Sequence, residues 1–248
     1  MRQVTTHAAV ILAPNPGPMT LDGTNTWVLR AAGEQGSLVV DPGPLDQGHL
    51  EAVAATDPRL IVLTHRHPDH SDGARRLHEM TGADVLSLDP EFTIGGESLH
   101  EDGQTFGAAG VVLTVIHTPG HSSDSMSLYL EADDAVLTGD TILGRGTTVV
   151  AHPDGVLKDY LESLRRLKEY GDATVLPGHG PELASAGVVA QEYLDHRELR
   201  LGQVRAAVAT GASTARDVVE QVYADVDPVL WPAAELSVRA QLDYIAHR

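Results

Sequence analysis

Six consecutive residues, His65-Arg-His67-Pro-Asp69-His70, carry four groups able to bind a metal ion. With 13 His and 21 Asp in 248 residues, His-x-His-x-Asp-His arises by accident about 0.003 times per chain. Neutral imidazole and carboxylate are the ligands zinc takes where thiolate is absent, and the chain has no cysteine. The segment directly follows Leu60–Thr64, an apolar run that reads as a buried strand. On an irregular strand-to-helix loop, His65 and His67 can face one way and Asp69 and His70 another. That division suits two metals rather than one.

Three further features repeat the theme. Thr118-Pro-Gly-His121 follows the strand-like Val111–His117, Thr138-Gly-Asp140 follows Ala135–Leu137, and Leu176-Pro-Gly-His179-Gly follows Thr174–Leu176. Each puts one His or Asp at the C-terminal end of a strand, with a glycine beside it that lets backbone approach closely. One such residue alone reads as an ordinary loop His or Asp. Four strand-end sites in one chain do not. Around them stand secondary candidates. Asp41, in Val-Val-Asp-Pro-Gly, either orients a ligand imidazole or starts a turn. Asn25, in Gly-Thr-Asn-Thr, either lines the mouth or makes an Asx turn. Arg66 and Arg145 flank ligand-bearing loops and either meet an anionic group or lie in solvent. His117 and His152 match no ligand position, and His196 reads as a packed or surface residue of a helical tail.

The elements that must position these groups alternate in type. Strands are predicted at Trp27–Arg30, Ser37–Val40, Leu60–Leu63, Asp84–Leu88, Val111–Ile116, Ser127–Leu130, Ala135–Thr138 and Thr174–Leu176. A helix is predicted over Asp72–Thr81, capped by Asp72 and ended by Gly82. Another is predicted over Asp159–Tyr170, with Leu161, Leu164 and Leu167 on one face. After Pro181 the texture becomes wholly helical: Leu183–Ala209, then Ala215–Tyr223 behind a capping-box-like Thr214-Ala-Arg-Asp217, then Pro232–Ala246. Two domains are expected, 1–181 and 182–248.

Charge narrows the partners. Lys+Arg is 17 and Asp+Glu is 35, a net of −18. The first 181 residues carry 11 − 25 = −14 and the tail 6 − 10 = −4. A broad basic nucleic-acid surface is therefore not expected, nor is attraction to anionic membranes. The best apolar run, Ala108–Ile116, is too short to span a bilayer. The N-terminus lacks the pattern of a secretory signal, so a cytoplasmic location is expected.

His-x-His-x-Asp-His, Pro-Gly-His, Gly-Asp and Pro-Gly-His, in that order, resemble the metallo-β-lactamase-fold hydrolases over about residues 10–181. The resemblance implies an α/β (α+β) fold, an αββα sandwich with a dinuclear site at one edge. Carried over by motif, one metal takes His65, His67 and His121, the other takes Asp69, His70 and His179, and Asp140 bridges them. Within the fold, β-lactamases do not use the bridging Asp and several use Cys, so Asp140 and the absence of Cys point away from antibiotic hydrolysis. Di-iron flavoproteins of the fold carry Glu where His67 stands. The 39 positions from Asp140 to His179 leave no room for the domain inserted in the RNA-processing β-CASP nucleases.

Three local stretches, Asn15–Thr26, Gly139–Thr148 and His196-Arg197, look like the β-lactamase-like protein 2 branch. That branch contains single-strand endoribonucleases and fungal polyketide thioesterases and carries a winged-helix-like C-terminal domain. The tail here has helices to match but no evident wing strands.

Two divalent metals ~3.5–4 Å apart clamp a bridging water and lower its pKa to ~7. The resulting hydroxide is the expected nucleophile, with Asp69 both ligand and proton shuttle. Two Zn²⁺ less Asp69, Asp140 and hydroxide leave a local charge of about +1. Zinc is the first choice from the ligand types, and Mn²⁺ and Fe²⁺ accept similar sets. By resemblance the expected substrate is short single-stranded RNA, with a small ester or thioester, as for a thioesterase or glyoxalase II, as the alternative. A non-enzymatic nucleic-acid-binding module fits poorly with seven intact ligands and a tail of charge −4. The tail better suits walling one side of the site or a homodimer contact.

Overall fold

Two β-sheets lie face to face between two layers of helices in the computed structural model, which describes residues 1–247. The first sheet holds β1 (Arg2–Gln3), β2 (Ala8–Leu12), β3 (Asn25–Leu29), β4 (Ser37–Val40), β5 (Pro58–Val62) and β6 (Asp84–Leu86), side by side in that order. β1 to β4 pair antiparallel, while β4, β5 and β6 run parallel. Parallel neighbours need crossover connections, and α1 (Gln47–Ala54) and α2 (Pro68–Thr81) supply them. The second sheet runs β11-β10-β9-β8-β7 and comprises β7 (Thr105–Ala108), β8 (Val111–His117), β9 (Met126–Leu130), β10 (Ala135–Gly139) and β11 (Thr174–Pro177). Only its β10–β11 pair is parallel, and α3 (Leu157–Lys168) makes that crossover. α4 (Ala186–Ala209), α5 (Ala215–Val222) and α6 (Trp231–Ala246) follow.

The two-residue period of a strand explains the layering. In β4 and β5, Leu38, Val40 and Val62 enter the core between the sheets, where they meet Leu113, Leu128, Leu137 and Leu176. Val39, Ile61 and Leu63 point the other way and pack under α1 and α2 against Leu50, Val53 and Leu77. In the second sheet, Val136 and Val175 face out onto Leu161, Leu164 and Leu167 of α3. Leu38, Leu128, Leu137 and Leu176 are fully buried, each contributing roughly 1.5–3 kcal/mol relative to exposure.

α4 belongs to two cores. Ala186, Ala190 and Tyr193 near its start, and Leu201 further on, pack with α3. Val204 and Ala207 pack with Val218 and Val219 of α5 and Val238 of α6. The capping box that opens α5 is complete, Thr214 and Asp217 each accepting from the other's backbone N–H. No strand follows Pro177 among the described residues, and no helix there is long and apolar enough to cross a membrane.

The structure moves one boundary that matters chemically. The second helix starts at Pro68 rather than Asp72, with His67 at the N-cap and Pro68 in the first turn, where its missing N–H removes nothing. Asp69 and His70 therefore sit on the first turn of a helix and not in an irregular loop. Asp72 is an interior residue, while Gly82 ends the helix in the left-handed region. The sequence reading also passed over β1, β2, β7 and α1. β1 and β7 are short edge strands and α1 is two turns long, while β2 is an unbroken apolar run, Ala-Ala-Val-Ile-Leu, with no alternation to mark it as a strand.

Candidate metal centre

All four ligand-bearing loops leave the C-terminal ends of strands: β5, β8, β10 and β11. Backbone hydrogen bonds lash them together. Gly178 N–H donates to Gly139 O at 2.8 Å, Asn25 N–H donates to Gly178 O at 2.8 Å, and Met126 N–H donates to Thr64 O at 2.9 Å across the two sheets. At Gly178 a Cβ would fall 2.5 Å from Asp140 Oδ1 and 2.7 Å from His70 Cε1. Glycine here creates the space in which the β10 and β11 loops press against the cluster.

Seven side chains converge. His65, His67 and His121 form one group whose ligand atoms lie within 4.8 Å of one another, and Asp69, His70 and His179 form a second. Asp140 lies between them, with Oδ2 3.7 Å from His121 Nε2 and 3.4 Å from His179 Nε2, and Oδ1 3.4 Å from His70 Nε2. His65, His70 and Asp140 form a third such group joining the first two.

The surroundings assign the tautomers. His70 Nδ1–H donates to Asp41 Oδ2 at 2.8 Å. Thr64 Oγ1 gives its own proton to Asp41 at 2.7 Å, so at 3.0 Å it accepts from His65 Nδ1–H. His121 Nδ1–H donates to Val149 O at 2.7 Å, and His179 Nδ1–H to Gly23 O at 3.1 Å. All four rings thus turn Nε2 inward, fixed by partners behind them. His65 Nε2 and His121 Nε2 both abut His67 Nδ1, at 3.1 and 2.9 Å. One proton on that atom serves one neighbour well, whereas a cation serves all three nitrogens. Asp140 Oδ1 is buried with no hydrogen-bond partner, an expensive state for a carboxylate oxygen unless a cation faces it. The donor set, the converging lone pairs and this orphaned oxygen fit metal ions.

Electrostatics divide the cluster. Burial holds His65 well below the ordinary imidazole range and His121 down at about 4, so both stay neutral ligands. Burial opposes charge on His70 and His179 too, but carboxylates outweigh it: Asp140 and Asp41 raise His70 well above its usual value, and Asp140 with Asp69 raises His179 to about 9. Burial likewise opposes charge on Asp140, yet His70 and His179 carry it well below the carboxylate range. Without cations, protons on His70 and His179 stand where positive charge belongs. Asp69 is partly exposed; burial raises its carboxyl, but His179 and His70 prevail and keep it ionised.

Four outer candidates take definite places. Asp41 sits behind His70, held at φ 53° in the left-handed region where an Asp is tolerated. Asn25 neither lines the mouth nor makes an Asx turn: its Nδ2 donates to Pro177 O and Gly180 O at 3.0 and 2.8 Å, clamping the His179 loop. Arg66 is held among acids, Asp154 at 2.6 Å, Asp89 at 3.6 Å and Asp124 at 3.8 Å, so its charge is already balanced. Arg145 forms a two-pronged exposed pair with Asp22.

The sequence reading missed Thr64, which links Asp41 to His65, and it left His196 without a role. His196, Arg197 and Arg200 line a chamber of about 290 Å³ that also borders His121 and Asp140. Their spacing on one helix face was the available signal.

Residues 19–179 match the metallo-beta-lactamase superfamily, and residues 214–244 the beta-lactamase associated winged helix domain. The chain belongs to the metallo-beta-lactamase superfamily. It is 34% identical to a beta-lactamase-like protein 2 homolog of Caenorhabditis elegans, over 87% of this chain and 76% of that one. It is 32% identical to an atrochrysone carboxyl ACP thioesterase of Aspergillus fumigatus, over 86% of this chain and 72% of the relative. A metallo-beta-lactamase family protein from Thermus thermophilus shares the fold, with TM-score 0.81 and 23% identity over 97% of this chain and 93% of that one.

Proposed function

We propose that the protein is a dinuclear metal-dependent hydrolase of small esters or thioesters, with zinc as the resident ion. The observation that carries this reading is the chamber beside His121 and Asp140. It holds about 290 Å³ and has largely apolar walls, among them Met19, Leu143, Val149 and Leu230. Small-molecule sites are concave and mostly apolar in this way. The thioesterase name of the Aspergillus fumigatus relative supports the same choice.

Single-stranded RNA, the first expectation from resemblance, fits less well. RNA-binding surfaces offer free cations to successive phosphates. Here acids outnumber basic residues 35 to 17, and Arg2, Arg59, Arg66, Arg76, Arg145, Arg166 and Arg216 are each already paired with a carboxylate, while Arg197 and Arg200, which are not, face the chamber.

Bound divalent ions supply Lewis acidity and an acidified water; the ligand types favour zinc. His65, His67 and His121 would hold one ion and Asp69, His70 and His179 the other, with Asp140 between the two groups. Asp69 is the ligand carboxylate open to the cleft, its side chain 28% exposed and ionised at neutral pH. It takes a proton from the attacking water as the C–O bond to the acyl carbon forms. It returns that proton to the leaving thiolate or alkoxide as the C–S or C–O bond breaks. The reacting carbonyl lies beside His121 and Asp140 at the chamber mouth.

The test is hydrolysis by purified zinc-loaded protein of a thioester and ester panel beside labelled single-stranded RNA, with Asp69→Asn as control. Thioester or ester turnover that disappears in the control is expected. Cleavage of RNA alone, lost in the control, overturns the acyl reading.

A further inference from the structure

The metal cluster and its orienting partners leave a second polar group unaccounted for. His196, Arg197 and Arg200 project from one face of α4 into the chamber wall. Arg197 is 4% exposed. Its guanidinium carbon lies 4.9 Å from the centre of the Tyr160 ring, and its Nη2 donates to Thr148 O. Its Nε is buried and without a partner. Arg200 lies 4.6 Å over the Tyr223 ring and donates through Nη1 to Val222 O at 2.9 Å and Gln203 Oε1 at 3.1 Å. Its Nε is also buried without a partner, as is His196 Nδ1.

Of the other arginines, Arg66, Arg145 and Arg216 meet acids, while Arg75, Arg165, Arg205 and Arg239 are exposed to water. Among the described residues no carboxylate lies within 4.0 Å of the nitrogens of Arg197 or Arg200. Taking an ion out of water without a counter-charge costs several kcal/mol. Buried Arg197 and half-buried Arg200, with an unsatisfied nitrogen on each and a third on His196, make a wall short of negative charge. Burial, then Arg197 and Arg200, hold His196 below the ordinary imidazole range, so it adds a neutral nitrogen rather than a third cation. Through Thr148 the group is tied to the chemistry: Arg197 bonds Thr148 O, and Thr148 Oγ1 donates to Asp140 O at 2.7 Å.

We propose that this face of α4 is the receptor for an anionic oxygen group, a carboxylate or a phosphate, carried by the substrate at the end remote from the hydrolysed bond. The guanidinium fork matches the two oxygens of such a group. Resting on the acyl-hydrolase reading, the assignment places the reacting carbonyl at His121 and Asp140 and the acidic end against Arg197 and Arg200. The chamber as a whole holds about 290 Å³. The substrate class is then the half-ester or half-thioester of a dicarboxylic acid, or an acyl group on a phosphate-bearing carrier.

Paired substrates separate these two sources. Glutaryl and pentanoyl thioesters of N-acetylcysteamine differ in the acyl carboxylate alone. Pentanoyl thioesters of phosphopantetheine and pantetheine differ in the carrier phosphate alone. One pair is expected to favour its anionic member in kcat/KM by about tenfold or more, the low end of what a buried charge partner gives. Arg200→Gln and Arg197→Gln should bring that ratio close to one, while exposed Arg205→Gln on the same helix leaves it unchanged. A ratio cancels losses common to both substrates, so partial unfolding of Arg197→Gln does not imitate the result. Calorimetric titration of glutarate and inorganic phosphate into chelator-treated protein reads the receptor without turnover, and Arg200→Gln should weaken the tighter ligand about tenfold or more. Ratios near one in the wild type, or ratios that neither substitution moves, overturn the proposal. Anion binding lost in Arg200→Gln, with no ester or thioester turned over, overturns the acyl reading and leaves the receptor standing.

Discussion

Asp41 governs His70 directly and His65 at one remove. Its Oδ2 accepts from His70 Nδ1 at 2.8 Å and from Thr64 Oγ1 at 2.7 Å, and that hydroxyl in turn accepts from His65 Nδ1. His65 lies with His67 and His121, and His70 with Asp69 and His179, so a single buried carboxylate sets the tautomer in both halves of the cluster.

Asp41→Asn tests this. Asn tolerates the left-handed backbone at φ 53°, yet it lacks the charge, and its single oxygen cannot replace both Oδ2, which serves His70 and the Thr64 hydroxyl, and Oδ1, which accepts from Thr64 N–H. Metal affinity should fall by roughly 10- to 100-fold, the usual effect of removing a ligand's orienting partner. Competition against a chromophoric chelator measures it, and unchanged affinity would contradict the role.

Gly178→Ala should cost the centre metal without unfolding the protein. The added methyl lands 2.5 Å from Asp140 Oδ1, so the carboxylate must swing away or the loop must retreat. Elemental analysis should find occupancy reduced from two ions per chain, with the far-ultraviolet circular dichroism of the wild type. Full occupancy would mean that the loop yields freely.

Removing metal should lower the melting temperature. An ion at 1,000 times its dissociation constant stabilises the folded state by about 4 kcal/mol, which for a domain of this size corresponds to roughly 10 °C. Differential scanning with and without chelator, followed by readdition of Zn²⁺, Mn²⁺ or Fe²⁺, also ranks the candidate ions. No shift on chelation of metal-containing protein would argue against ligation by this cluster.

Metal-free protein should lose stability as pH rises from 6.5 towards 9. His179 in the folded state is raised to about 9 from 6.5. Its contribution is therefore complete below 6.5 and is lost as pH passes through the folded value; His70 acts in the same direction. Asp140, lowered in the folded state, contributes fully throughout that window. Denaturant midpoints at pH 6.5 and 9 measure the loss, and His179→Ala should shrink it. Metal affinity should move oppositely, because binding displaces those protons.

The sequence made the ligand types and their order readable because they follow strand ends, four of them clustered in His65–His70 and three beside glycine, so local pattern and chemistry coincide. The sheet strands around them were readable for the same reason, as in Ser37–Val40, whose residues are all buried. The start of α2 was not. Its N-cap is His67, whose side chain makes no cap bond, and the Pro68 signal was outweighed by the more familiar Asp72. Asn25 was misread because its partners, Pro177 and Gly180, lie more than 150 positions away. The charge balance of Arg66 likewise depends on Asp89, Asp124 and Asp154, which only the tertiary fold assembles.

The placement of α4 bears on how such a protein diversifies. Its early turns are anchored in the core beneath the metal loops, while its later turns form a separate core with α5 and α6. Ala233 and Ala234, which border the chamber, belong to α6. Exchanging small for large side chains there resizes the cavity while the hydrolytic apparatus stays intact. The ligand cluster and this part of the chamber wall thus come from different stretches of chain, so the wall can vary at α6 while the cluster is kept.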